Sequence, residues 1–338
     1  MSNSKFFAGL DVGGSTIKGL LLDGNRQQVG PPVEVSSNGT KGYLATFEQL
    51  KVALAGLCSQ SNLELTDVKA VGLDVPVPCS NGVVWGKSNL TDDWVGTNIE
   101  AEFSKAIDKP VVMVNDANAG ALGEWVLRPD HDGALLFVAP GTGLGGGFVL
   151  PGGHLYQGAN GLALEVGAMC VPDRDSEGNL PSCAGKGDGS CEAWVSLVAL
   201  RRELAVALSK PENASHQLNQ SDESIEAKAF RLRDLASEGD QLSLDLFQQQ
   251  AAILGHMLAD QASELDPGLI VIGGGLAEAS FRDWWMDEVK KGFESRVPPF
   301  YVKSPIPPHQ PTTVFELAIG GDNSAAVGVA HKAMDLVG

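Results

Sequence analysis

Asp11-Val12-Gly13-Gly14-Ser15-Thr16-Ile17-Lys18 governs how the rest of this 338-residue chain is read. It stands between two apolar runs, Phe6 to Leu10 and Ile17 to Leu22. That order predicts strand, glycine turn, strand. It is a hairpin, not the strand-to-helix order of a Walker loop or a dinucleotide fingerprint. Gly13 and Gly14 allow a tight turn with φ > 0 and let backbone N–H groups approach an anion. Ser15 and Thr16 add hydroxyl donors, and Lys18 adds a cation. Asp11 repels phosphate by itself, so it makes sense there only if it holds Mg²⁺ through water. A nucleotide–metal site and a plain Gly-Gly hairpin are the two readings this stretch leaves open.

The second half repeats the pattern. The apolar run Leu135 to Ala139 leads into Pro140-Gly141-Thr142-Gly143-Leu144-Gly145-Gly146-Gly147 and then Phe148-Val149-Leu150. Two such hairpins about 130 residues apart predict a duplicated domain that holds a nucleotide from both sides. A third cluster, Gly273-Gly274-Gly275, follows the strand Leu269 to Ile272 and precedes a helix. Tight turning explains one such cluster. Three behind hydrophobic strands point to phosphate binding.

Composition narrows the function classes. Hydrophobic residues make up 43% and charged residues 20%, as in ordinary globular proteins. The net charge of −18 argues against nucleic-acid backbone or anionic membrane as partner, since both need a basic face. No apolar run approaches the ~20 residues of a membrane span. Met1 to Lys5 carries no signal-peptide pattern, so a cytoplasmic protein is expected. Five cysteines at irregular spacing, without Cys-x-x-Cys, are no disulfide framework. Cys58 and Cys79 read as small buried residues.

Along the chain, residues 6–35 predict a three-strand meander and 43–58 a helix. A strand over 68–75, a helix over 99–107, a strand over 111–114 and an Ala-rich helix to about Trp125 follow. After the hairpin 135–150 comes a helical insertion over 192–264. A strand 269–272, a helix near 281–294, a strand 313–318 and a closing helix 323–336 complete the chain. Residues 171–190 and 209–223 read as polar loops. The order predicts an α/β protein with two RNase H-like halves and a cleft between them, the actin-like ATPase fold. Residues 1–117 would form the N-terminal lobe. Residues 118–338 would form a larger C-terminal lobe, with the final helix able to pack back on the first.

The chain resembles the sugar kinases of the ROK family (repressor, open reading frame, kinase). The resemblance rests on the Asp11–Lys18 turn, Val114-Asn115-Asp116-Ala117-Asn118-Ala119 with Gly123-Glu124, and the turn Gly141 to Gly147. It rests also on Gly158-Ala159-Asn160-Gly161 with Glu165-Val166-Gly167, and on Asp266-Pro267 through Ile272-Gly273-Gly274-Gly275-Leu276. It implies ATP-dependent phosphorylation of a hexose, with glucose as acceptor, by a glucokinase-like homodimer using Mg²⁺. Asp116, expected at the end of a central strand, would accept the proton of the attacking hydroxyl. With an ordinary pKa of ~3.9 it is a weak base, so orientation matters as much as proton removal. The resemblance implies sugar contacts for Asn115, Asn89, Glu165 and Glu192. Carboxylates suit that task because they accept hydrogen bonds from hydroxyls. The bland readings are that Asn-Asp-Ala-Asn caps a helix, with Asn118 as the cap, and that Glu192 is a favourable charge in the first turn of a helix 192–208.

One departure from the family pattern matters. The family has His after Glu-x-Gly and a compact cysteine cluster that together bind zinc. Here Ala168 takes the His position, and Cys183 and Cys191 stand apart with Cys170 outside the pattern. Structural zinc is not expected, with Cys183 and Cys191 as residual candidates. The family His also contacts sugar, so Ala168 leaves the acceptor open among glucose, fructose, mannose and amino sugars such as N-acetylmannosamine. Polyphosphate in place of ATP is an alternative donor. A sugar-binding regulator without catalysis is the alternative of another class. It would need an N-terminal winged helix-turn-helix, for which a hairpin beginning at residue 6 leaves no room, and the charge opposes DNA binding.

Overall fold

The computed structural model describes residues 5–86, 90–175, 177–183 and 186–337. In chain order the elements are β1 (Phe6–Val12), β2 (Thr16–Asp23), β3 (Val33–Ser36), α1 (Tyr43–Gln60), β4 (Val68–Val75), β5 (Cys79–Ser80), β6 (Val83–Val84), α2 (Ile99–Ile107), β7 (Val111–Asn115) and α3 (Asp116–Val126). Then come β8 (Leu135–Pro140), β9 (Leu144–Leu150), β10 (His154–Tyr156), β11 (Ser182–Cys183), β12 (Gly187–Asp188), α4 (Leu197–Ser209), α5 (Ile225–Ser237) and α6 (Gln241–Leu265). Last are β13 (Leu269–Ile272), α7 (Arg282–Glu294), α8 (Pro299–Val302), β14 (Val314–Leu317) and α9 (Ser324–Met334). Two five-stranded sheets have the orders β3-β2-β1-β4-β7 and β10-β9-β8-β13-β14.

The chain divides into two compact units. One comprises Met1–Phe137, Gly146–Leu164 and Ala318–Gly338. The other comprises Val138–Gly145 and Glu165–Leu317.

In the first unit β1 pairs antiparallel with β2 and parallel with β4. Leu10, Ile17, Leu21, Val71 and Leu73 are fully buried there, beneath Phe47, Leu50 and Leu57 of α1. The helical spacing of those α1 residues is what lets one face cover the sheet. Packing places residues 118–137 with the N-terminal part, where the lobe division expected at 117 puts them in the C-terminal lobe. The cause is the pairing of α3 with α9. A Cβ on Gly123 would lie 1.7 Å from the Ser324 carbonyl oxygen, and one on Gly328 would lie 1.9 Å from that of Ala119. The same device seats α9 on the sheet, since a Cβ on Gly9 or on Gly72 would come within 1.9 Å of the carbonyl oxygens of Ala326 and Val329 respectively. Only glycine permits such backbone contact.

In the second unit α6 and α7 pack together, with Phe247, Leu254, Leu258, Trp285 and Val289 buried. Ser196, Ser224 and Asp240 cap α4, α5 and α6 by accepting hydrogen bonds from N–H groups of the first turn. Asp266 ends α6 in the left-handed conformation with φ 47°.

Candidate functional site

The first glycine turn closes with the Gly13 N–H donating to the Thr16 carbonyl oxygen at 2.9 Å. Neither Gly13 nor Gly14 takes a positive φ, which corrects the conformational role expected for them. The turn is instead braced from outside. The Ser37 hydroxyl donates to the Gly14 carbonyl at 2.9 Å, and the Ser37 N–H donates to the Ser15 carbonyl at 2.9 Å. Ser15 remains exposed, and Thr16 and Lys18 are half-buried. Lys18 is not an isolated cation. Its ammonium lies 2.6 Å from the Asp322 carboxylate, which arrives from the C-terminal segment of the same unit.

Strand register brings Asp11 opposite both Lys18 on β2 and Asp74 on β4. Asp74 is 0% exposed, with its carboxyl against the Asp11 carboxyl and the Val12 N–H. Burial, then the neighbouring carboxyls of Asp11 and Asp116, push its pKa well above the ordinary aspartate value. Burial also raises Asp11, against the lowering influence of Asp74 and Lys18. No group of three or more His, Cys, Asp or Glu side chains among the described residues could grip a metal ion directly. The hard oxygen chemistry of Asp11 does suit Mg²⁺ held through water.

Asp116 is the first residue of α3, where the helix N-terminus favours negative charge. Its Oδ1 accepts from the Ala117 N–H at 2.8 Å. The strand before it, β7, lies at the edge of its sheet, not at the centre as expected. Strand order is a long-range property, so the local apolar run could not reveal it. The cap of α3 is Asn115, not Asn118. The Asn115 Oδ1 accepts from the Ala117 N–H at 3.0 Å, and its amide donates to the Val77 carbonyl at 3.4 Å. Asn118 is buried, and its Oδ1 has no hydrogen-bond partner among the described residues.

The other predicted residues, Asn89 apart, belong to the second unit. In the second glycine turn the Gly141 N–H donates to the Gly143 carbonyl at 2.8 Å, while Thr142 is exposed at the apex. The Gly141 carbonyl accepts from the Leu197 N–H at the start of α4. Glu192 anchors the turn, since its Oε2 accepts from the Leu144 N–H at 2.8 Å. A side chain at Gly143 would collide with that carboxylate at 2.7 Å. Glu192 lies in a short 3-10 turn, Cys191–Ala193, and α4 begins only at Leu197. The helix-first-turn reading of Glu192 is therefore corrected.

The Gly273 N–H donates to the Val138 carbonyl at 2.9 Å. Gly274 has φ 75°, and a Cβ there would lie 2.1 Å from the Pro140 carbonyl oxygen, so the third cluster touches the second. A side chain at Gly275 would strike the Arg233 guanidinium. Glu165 precedes a 3-10 turn, Val166–Ala168, and its Oε2 lies 2.6 Å from the Lys186 ammonium. Asn89 lies outside the described residues.

Cys170, Cys183 and Cys191 are free thiols. Burial pushes the Cys191 thiol far above its ordinary range. Burial and the hydrogen bond to Glu192 also raise Cys183. Cys58 and Cys79 are buried in the first unit.

Sequence reasoning missed Asp74, Asp322 and Lys186. Asp74 had a signal, a carboxylate inside the apolar strand Val68–Val75. The other two had none, because their partners are remote in sequence.

Known proteins share this architecture. Glucokinase of Halalkalibacterium halodurans is 28% identical over 296 residues, covering 87% of this chain and 86% of the relative. N-acetylmannosamine kinase of Salmonella heidelberg is 32% identical, with 89% of each chain covered. The crystal structure of a ROK family glucokinase from Streptomyces griseus, in complex with glucose and AMPPNP, matches with a TM-score of 0.74. It is 26% identical, with 98% of this chain and 99% of that chain covered. The fold is the actin-like ATPase fold of these sugar kinases. The ROK family model matches residues 7–334, nearly the whole chain, and the chain belongs to the ROK family.

Proposed function

We propose that this protein is an ATP-dependent hexose kinase that transfers a phosphoryl group to a sugar hydroxyl, with glucose the first acceptor to test. The observation that carries the reading is the placement of Asp116. It is a half-buried carboxylate at the start of α3, in the electrostatic field of the buried Asp74. Similarity over nearly the full length to glucokinases and N-acetylmannosamine kinases supports the same chemistry.

In this reading Asp116 orients the attacking hydroxyl and accepts its proton as the bond to phosphorus forms. Asn115, Asn89, Glu165 and Glu192 hold the sugar. The N–H groups and hydroxyls of residues 13–16, of 141–143 and of 273–275 cradle the phosphates, with Lys18 as a counter-charge. Asp11 holds Mg²⁺ through water, and the ion, when bound, neutralises phosphate charge. The enzyme works in the cytoplasm as a homodimer.

ADP release, measured with ATP and Mg²⁺ across glucose, fructose, mannose and N-acetylmannosamine, tests this. Sugar-dependent ADP formation is expected. ADP release at the same rate with and without sugar, or no ADP release with any of these sugars, overturns the reading. Initial rates with polyphosphate in place of ATP fix the donor, and the acidic balance of the chain favours ATP.

A further inference from the structure

The two carboxylates assigned to the sugar share one neighbour. The hairpin β11–β12 places a donor on each. The Cys183 thiol donates to Glu192 Oε1 at 3.3 Å, and the Lys186 ammonium donates to Glu165 Oε2 at 2.6 Å. Both ends of the second contact are fixed by local structure. The Lys186 N–H donates to the Cys183 carbonyl at 3.1 Å, and the Glu165 carbonyl accepts from the Ala168 N–H at 2.9 Å. Both side chains are half-buried, and Ala168, in the Glu165 turn, is small and exposed. Both charged groups keep access to solvent.

An isolated ion pair at the surface adds little stability. Its worth here lies in what it leaves unused. An ammonium has three donors and a carboxylate about four acceptor sites. One contact between them consumes one of each. The remainder is an alternating set of donors and acceptors. That set matches a pair of neighbouring sugar hydroxyls, each of which donates once and accepts.

We propose that Lys186 is a sugar-contacting residue that acts with Glu165, donating to one oxygen of a neutral hexose while Glu165 accepts from an adjacent hydroxyl. This rests on the hexose-kinase reading and on Glu165 facing the sugar. Lys186 thus becomes a determinant of which hexose is accepted.

The test uses the full chain, wild type against Lys186→Met and Lys186→Arg, in glucose phosphorylation with ATP and Mg²⁺. Removing a hydrogen bond from a charged donor should raise the glucose KM roughly 10- to 100-fold, with kcat and the ATP KM within about threefold. Lys186→Arg should recover part of the loss. Deoxyglucoses separate contact from architecture. The analogue lacking the contacted oxygen should lose affinity in wild type and lose no more in Lys186→Met. A merely structural lysine would penalise every analogue equally, and that result overturns the proposal. So does a Lys186→Met enzyme with an unchanged or lower glucose KM while wild type turns over normally, which leaves the kinase reading standing. Lys186→Gln serves if the Met variant does not fold. If wild type phosphorylates no hexose, the kinase reading falls, and calorimetric titration with glucose decides the rest. Binding by wild type that Lys186→Met weakens upholds the contact. No binding overturns it.

Discussion

Glu124→Gln offers the sharpest test of how the first unit is held together. The Glu124 carboxylate is 0% exposed and accepts four hydrogen bonds. They come from the Ile319 N–H at 3.0 Å, the Gly320 N–H at 2.9 Å, the Ser324 hydroxyl at 2.5 Å and the Arg128 guanidinium at 2.5 Å. Two of its donors precede α9 and one opens it, so this carboxylate ties α3 to the C-terminal segment. Burial by itself would raise the pKa of Glu124. The donors from Ser324, Arg128, Ile319 and Gly320 outweigh it and hold the value below the ordinary 4.5.

Glutamine keeps the shape but turns one acceptor oxygen into a donor facing donors. It also removes the negative charge facing the Arg128 guanidinium, a residue 9% exposed. Breaking a buried pair on one side costs about 3–5 kcal/mol. For a unit of this size that is a fall in melting temperature on the order of 10 °C. Urea and thermal unfolding followed by circular dichroism measure it. The sign with pH follows from the depressed value. Ionised Glu124 contributes its full stability above the ordinary glutamate value and loses it as pH falls through the lower folded value. Glutamine carries no such group, so the gap between the two proteins should close on acidification from about pH 5 to about pH 3. A variant within about 1 kcal/mol of wild type at pH 7, or a gap constant across that range, would refute the four-donor account.

Four further outcomes are expected. Asp116→Asn should lower kcat by about 10²–10⁴-fold with hexose binding little changed, and turnover near wild type would remove Asp116 from its role. His331 is buried, stacked on Trp125 at 6.3 Å, with its pKa lowered to about 4 by burial and by Arg26. Stability should therefore decline as pH falls below the unfolded value of 6.5, and the His331 NMR signals should stay neutral through pH 6; a midpoint near 6.5 would contradict this. Gly328→Ala should destabilise the first unit by about 3 kcal/mol or more, because its methyl would lie 1.9 Å from the Ala119 carbonyl oxygen; a normal melting temperature would show that α9 can shift away from α3. Chelation followed by return of Mg²⁺ should leave melting temperature and activity unchanged, whereas stoichiometric zinc with unfolding on its removal would restore Cys183 and Cys191 as ligands, since structural zinc contributes about 10–16 kcal/mol in finger peptides.

The strand–glycine turn–strand order was legible at both hairpins because it is local. The observed β1, β2, β8 and β9 fall on the predicted runs. The helix starting at Asp116 was legible for the same reason, whereas the β11–β12 hairpin lies within 171–190, a stretch that reads as a polar loop. Corrections arose where distant chain decides. Asn115, not Asn118, caps α3 because β7 delivers it in extended conformation with its side chain aimed at the first-turn N–H groups. Gly13 and Gly14 needed no positive φ because Ser37, arriving on the neighbouring strand, braces the turn.

The sequence by itself determined the element order, the two glycine hairpins, the acidic balance and the family, all carried by residues adjacent in the chain. Only the tertiary structure decided the pairings. Asp11 lies beside Asp74 because β1 and β4 run parallel in one register. Lys18 meets Asp322, and Glu124 meets Ser324, because glycines on α3, α9 and the sheet let three backbones touch. Glu165 meets Lys186 because a two-stranded hairpin folds over its turn. Each is a contact between side chains far apart in sequence. Backbone hydrogen bonding and packing bring them together, and no local pattern of residue types encodes which charge will find which.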